Sequence, residues 1–266
     1  MSGKVVHIIP STRQSVTGIA ILNDHLHVSH WGNQQIAIYC PKTLTYQHRR
    51  YVNTSAVGYG SQLRHLAACH SNNCFYASDQ KSQWVFKVDG QNYASSYWRF
   101  GNNPQGLSVT SSHKLLVALT ADNLLRKYST TGQLICEIDL QPAGITAPVH
   151  AVQLSDELYA VTHHGPRYQF SIVNSAGKLV RSYSGNAGAL NEPRDIVVDK
   201  KGRVLVADQN NNRVLVIDPK KLTAYPLPLP GCELKGPCSL HYDAANKRLY
   251  IGEWNGGRII CCEVYW

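Results

Sequence analysis

An all-β fold, a six-bladed β-propeller of four-stranded antiparallel blades, is the architecture this sequence predicts, with residues 1–266 forming a single domain. Three observations lead there. Helical periodicity is almost absent, and apolar residues come in runs of four to six, rich in Val, Ile, Leu and Tyr and bounded by Gly, Asn, Asp and Pro. One phrase also recurs along the chain. Counted from the first core residue of each copy (Ile19, Leu66, Leu107, Ala151, Ile196 and Leu240), the spacings are 47, 41, 44, 45 and 44 residues, so six units fill the length. A repeat of this period with several strands per unit is the signature of a propeller, in which stacking covers the two faces that one blade cannot bury alone. Finally, the last unit has room for only three strands, while Lys4–Ile9 forms an unassigned strand before the first unit. The N-terminal strand is therefore expected to complete the last blade and close the ring.

The units follow in order. The first starts at Gly18, the second at His65, the third at Gly106 and the fourth at His150. The fifth is the clearest, with strands at Ile196–Val198, Val204–Ala207 and Val214–Ile217 separated by the turn Asp199–Gly202 and the loop Asp208–Asn212. Its runs are apolar at consecutive positions, as strands covered on both faces require. The Pro-rich stretch Tyr225–Pro230 suits the outer edge of that blade. The sixth unit starts at Cys238.

Composition narrows the class. Hydrophobic residues make up 43% of the chain, which excludes disorder, and no apolar run approaches the ~18 residues of a membrane helix. Met1–Arg13 lacks the apolar core and small-residue cleavage site of a signal peptide, so a cytoplasmic location without membrane attachment is expected. Of eight cysteines none forms a C-x-x-C pair, and reduced thiols are expected, with Cys232 and Cys238 the pair to check. Cys261 and Cys262 should point to opposite faces of one strand. The sequon Asn53-Thr54-Ser55 reads as a chance occurrence. A formal net charge of +9 makes polyanions reasonable partners without establishing one.

The fifth unit resembles an NHL repeat. Pro193, Asp195, Asp199, Gly202, Val206–Asp208, Asn212, Arg213 and Val214 match that family's pattern. Trp31-Gly32-Asn33 in unit one matches a frequent variant, and Tyr250, Trp254 and Arg258 match in unit six, with Glu253 in the Asp place. Units two, three and four depart. Asp79 has no Arg in the expected place, Leu119-Thr120 stands where the Asp belongs, and unit four has Thr162-His163-His164. The resemblance implies that Asp208 and Arg213 form a blade-stabilising pair. It also implies a recognition module like the C-terminal domain of TRIM-NHL and Brat-like proteins, which bind protein partners or single-stranded RNA on the top face. Ligase activity would need a RING domain, and this chain has no RING or B-box cysteine–histidine array.

No cofactor and no catalytic residue is expected, since the chain contains no G-x-S-x-G, no Walker loop and no H-E-x-x-H, and Gly58-Tyr59-Gly60 lacks the rest of a phosphate loop. His65 and His150 occupy equivalent places near the central channel, where the other units have Gly18, Gly106, Asp195 and Ser239. Two histidines fall short of the three protein ligands a catalytic zinc takes, so polar channel lining is the reading adopted. A metal-dependent lyase or hydrolase in the channel ranks third among functions. A protein partner ranks first and single-stranded RNA second. The expected top-face contact residues are His30, Trp31, Arg64, His65, Lys81, His163, His164, Arg167, Tyr168, Arg194, Asn210, Trp254, Asn255 and Arg258. Trp31 and Trp254, in ring-neighbour units, form the centre of that set, because exposed aromatics beside arginines suit a hot spot or a base-stacking platform. The isolated domain is expected to be monomeric.

Overall fold

The computed structural model describes residues 2–10, 12, 14–53, 62–79, 83–100, 104–165, 169–183 and 185–265. Six four-stranded antiparallel sheets follow one another around a ring. Strand β1 (Ser2–Ile9) precedes blade one, which is β2 (Val16–Leu22), β3 (His25–His30), β4 (Gln35–Tyr39) and β5 (Tyr46–Tyr51). Blade two is β6 (Leu63–Cys69), β7 (Cys74–Asp79), β8 (Trp84–Asp89) and β9 (Ser95–Arg99). Blade three is β10 (Pro104–Val109), β11 (Leu115–Leu119), β12 (Leu124–Tyr128) and β13 (Leu134–Asp139). Blade four is β14 (Pro148–Ser155), β15 (Leu158–His163), β16 (Gln169–Asn174) and β17 (Leu179–Ser182). Blade five is β18 (Pro193–Val198), β19 (Val204–Asp208), β20 (Arg213–Ile217) and β21 (Ala224–Pro226). Blade six takes β22 (Pro237–Asp243), β23 (Arg248–Glu253) and β24 (Ile259–Tyr265), with β1 as its outermost strand. The expected closure is observed, with Ser2 opposite Tyr265 and Ile9 opposite Ile259.

The apolar runs sort their residues by alternation. In β19, Val204 and Val206 pack towards blade four, and Leu205 and Ala207 pack towards blade six. The same division gives one hydrophobic cluster at each of the six blade interfaces among the described residues. Cys261 and Cys262 obey it as well, the first packing against blade one and the second against blade five. All eight cysteines are free thiols. The short strand β21 lies at the outer edge of its blade, where a proline costs no ladder hydrogen bond within the sheet.

Polar contacts stitch the inner strands together. Ser29 Oγ donates to Arg64 O (2.7 Å), Ser78 Oγ to Gln105 O (2.9 Å), Thr120 Oγ1 to Pro148 O (2.7 Å) and Thr162 Oγ1 to Arg194 O (3.0 Å), each reaching the next blade. The Cys238 thiol donates to Val16 O at 2.8 Å and links blade six to blade one. Buried carboxylates at the ends of second strands hold the loops between blades. Asp208 accepts the Asn191 N–H (2.7 Å), Glu253 the Lys235 N–H (2.6 Å) and Asp79 the Gln62 N–H (2.9 Å).

Closure through β1 makes a direct prediction. Val5, Val6 and Ile9 pack on the clusters flanking blade six, so deleting residues 1–10 exposes apolar surface on both sides of that blade. At about 2–4 °C per kcal/mol for a domain of this size, the melting temperature should fall by about 10 °C or more. An unchanged thermal melt of the truncated protein would contradict closure through this strand.

Candidate functional site at the channel and top face

The third residue of each innermost strand points into the central channel. Around the ring these residues are Gly18, His65, Gly106, His150, Asp195 and Ser239. The glycines make room, since a Cβ on Gly106 would collide with the His150 ring and with Val149 O. His65 and His150 then lie against each other, with ring centroids 4.5 Å apart.

Asp195 organises this cluster from blade five. Its Oδ1 lies 2.6 Å from His150 Nδ1 and 3.1 Å from His65 Nε2, and its Oδ2 accepts the Leu240 N–H at 2.7 Å. The Leu107 N–H approaches His65 Nδ1 at 3.4 Å. His150 Nε2 donates to Leu107 O at 2.9 Å, and the Ile196 N–H approaches its Nδ1 at 3.1 Å. Blades two to six thus converge on three side chains. Burial alone would raise the Asp195 carboxyl, but the charges and hydrogen bonds of His65 and His150 outweigh it and hold the group well below the usual carboxylate range. Burial pushes His65 down, with Asp195 opposing.

The cluster divides the channel. On one side is a cavity of about 270 Å³ whose walls include Ala68, Val109, Val197 and Tyr242. On the other, towards the strand starts, is a well of about 30 Å³ lined in part by Thr17, Arg64, Gln105 and Arg194. The three side chains also offer one ligand atom each within 4.8 Å of one another. Two ligands on one tetrahedral zinc, at about 2.0–2.1 Å each, would sit about 3.3 Å apart. The 2.6 Å between His150 Nδ1 and Asp195 Oδ1 is well short of that separation. The geometry is that of a clasp, and a metal would have to pry it open.

The expected top-face residues separate into distinct groups. Trp31 is 37% exposed, and its ring meets Trp254 edge-on at 4.9 Å. The two loops are built alike, with the Trp31 N–H bonded to Ser15 O and the Trp254 N–H to Gly236 O. Asn255 is exposed next to Trp254, and Asn210 is exposed in the loop after β19 of blade five. His30 and His163 are not surface residues. They are 4% and 3% exposed, and His163 Nε2 bonds to Ser171 Oγ, because each closes a second strand with its side chain turned between blades. Arg258 is committed to Glu253 and to Glu233 O, as Arg213 is to Asp208 and the carbonyls of Ala187, Gly188 and Ala189. Both arginines are braces for the inter-blade loops. Arg194 pairs with Glu192 (2.6 Å) and Gln209 (2.8 Å), and His164 lies 3.6 Å from the same Glu192. Arg64 and His65 sit half-buried at the channel. Lys81, Arg167 and Tyr168 lie outside the described residues. Asp195, 2% exposed, was not among the site residues expected from sequence. Its register position, shared with His65 and His150, was the signal that it belongs with them.

Comparison with known proteins agrees with this architecture. The NHL repeat family matches residues 190–217, which span the fifth-blade phrase. Protein brain tumor of Drosophila melanogaster is 28% identical over 120 residues, 43% of this chain and 11% of that protein. The B-box type zinc finger protein ncl-1 of Caenorhabditis elegans is 33% identical over 60 residues, 23% of this chain and 7% of that protein. The matches thus span only about a tenth of the length of these curated relatives. Virginiamycin B lyase from Staphylococcus aureus superposes with a TM-score of 0.69 at 10% identity, covering 97% of this chain and 99% of that one, which is a likeness of fold. No helix among the described residues is long and apolar enough to cross a membrane.

Two predictions follow from the buried histidines. The clasp geometry predicts well under one metal ion per purified chain by elemental analysis, with a melt indifferent to chelator. One tightly held ion per chain, lost in His150→Ala, would overturn it. Separately, burial pushes His27, His30 and His163 down to about 4, with His25, Arg49 and His164 respectively adding to the effect. The unfolded chain takes up these protons near pH 6.5 and the folded one only near 4, so the stability present above pH 6.5 is lost as pH falls from 6.5 to 4. At up to about 3 kcal/mol per group, the melting temperature should drop by about 10 °C or more across that window. A flat profile between pH 7 and 4.5 would exclude this account.

Proposed function

We propose that this chain, an NHL-repeat six-bladed β-propeller, is a non-catalytic recognition module that binds a protein partner through its top face. The observation that carries this reading is the Trp31–Trp254 pair, a half-exposed aromatic corner across the junction of blades one and six. Large rings held rigidly at a surface are the side chains that dominate binding energy at protein interfaces. The neighbouring loops, with Asn210 and Asn255 exposed, supply a polar rim. A role as the target-selecting part of a TRIM-type ubiquitin ligase extends this reading to a longer protein. Support comes from the matched relative that is itself a B-box type zinc finger protein. A cytoplasmic location belongs to the same proposal.

Single-stranded RNA is the second reading, favoured by the net charge of +9 and by the likeness to protein brain tumor. The state of the top-face arginines weighs against a dedicated RNA groove. Arg194, Arg213 and Arg258 each sit within 2.6 Å of an acid of the same face, so these three are not free to follow a phosphate backbone.

Affinity capture from cytosolic extract with wild-type protein and with Trp31→Ala tests the first reading. Partners held by the aromatic corner should bind about 30-fold more weakly to the variant, at low and high salt alike. A capture profile unchanged by Trp31→Ala would contradict it. In parallel, random single-stranded RNA should bind with only micromolar affinity and a steep salt dependence. Enrichment of one motif at nanomolar affinity, abolished by Arg194→Ala or Arg167→Ala, would put RNA first.

A further inference from the structure

The small well above the clasp holds two arginines, and the one nearby acid, Glu192, is paired with only one of them. Arg64 and Arg194 are the second residues of β6 and β18, in blades two and five, which face each other across the ring. Both line the well. Arg194 is satisfied by Glu192 and Gln209. The Arg64 guanidinium makes no hydrogen bond or close ion pair among the described residues; Glu192, already paired with Arg194, offsets its charge without contacting it, and its side chain is half-buried beside that second arginine. Burial and the charge of Arg194 push its pKa down to about 10, so the cation is held there at a cost. Gln105 lines the same well, and its buried Oε1 has no hydrogen-bond partner. A side-chain amide so placed can turn either its oxygen or its N–H₂ towards an incoming group.

A guanidinium with no hydrogen-bond partner, a second arginine and an unsatisfied amide around one well describe a receptor for a small planar anion. Size restricts the choice. About 30 Å³ takes a group of a few atoms, and a phosphodiester would have to bring two sugars with it. Arg213 and Arg258 are each braced by an acid and are not free to guide a phosphate backbone to the mouth. We propose that the channel mouth is a carboxylate-binding subsite, in which an acidic side chain of the protein partner enters between Arg64 and Arg194 and pairs with the Arg64 fork. This rests on the top-face reading of function and adds what the partner must present there.

The test uses the whole chain and small probes. The Arg194 Nε–Hε signal, identified by its loss in Arg194→Lys, is followed by NMR while N-acetylglutamate N-methylamide is added. A saturable shift with millimolar affinity is expected, with no saturation by the glutamine analogue. Arg64→Met should weaken binding at least tenfold. Arg64→Lys, which keeps the charge and spares the fold if the methionine variant melts early, should retain part of it. Trp31→Ala should leave the titration unchanged, which separates failure of this subsite from failure of the aromatic-corner reading. The proposal is overturned if the glutamate probe produces no saturable shift, or if the Arg64 variants bind it like wild type. Saturation by inorganic phosphate at a tenfold lower concentration would also overturn it, and would assign the site to phosphate. N-acetylglycine saturating at a tenfold lower concentration than the glutamate probe would overturn the side-chain assignment in favour of a chain-terminal carboxylate.

Discussion

Strand β1 pairs with β24 from Ser2↔Tyr265 to Ile9↔Ile259, so the first strand of the chain is bonded to the last. Each blade here buries apolar residues on both faces and can do so only between two neighbours. Five blades can be covered in this way by sequential stacking. The sixth is completed by a strand more than 200 residues away in sequence, whose apolar side chains reach the clusters on both sides of that blade. The geometry of the channel and the top face depends on this pairing, because both are built from all six blades at once.

Within the closed ring, buried acids do most of the polar work. Asp208 and Glu253 each take a loop N–H and an arginine, and Asp195 takes two histidines and a backbone N–H. The acids keep several arginines turned inward. A formal net charge of +9 therefore says little about how much free positive charge any one face carries.

The architecture was legible because it is written in local terms. Runs such as Val204–Ala207 and Val214–Ile217 repeat at a fixed spacing, and alternation within them fixes which neighbour each residue meets. The family phrase also identified the Asp208–Arg213 brace and placed Trp31 beside Trp254. Side-chain direction was not legible in the degenerate blades. His30 and His163 stand next to loop residues in sequence, and only the register of β3 and β15 shows that they turn inward. Asp195 was legible in position but not in partnership. Its contact with His65 spans three blades, and no local pattern records which residues meet across a channel.

A ring joined only at its blade interfaces can deform as a hoop does, by small additive slips that turn a circle into an oval. The cluster of His65, His150 and Asp195 works as a hub with spokes, tying blades two, four and five directly and reaching blades three and six through Leu107 and Leu240. Ovalisation would have to break a charged contact at the centre as well as shear the interfaces. Loops mounted on such a wheel keep their mutual spacing, and a surface held in this way has little ordering entropy to lose in any contact it makes.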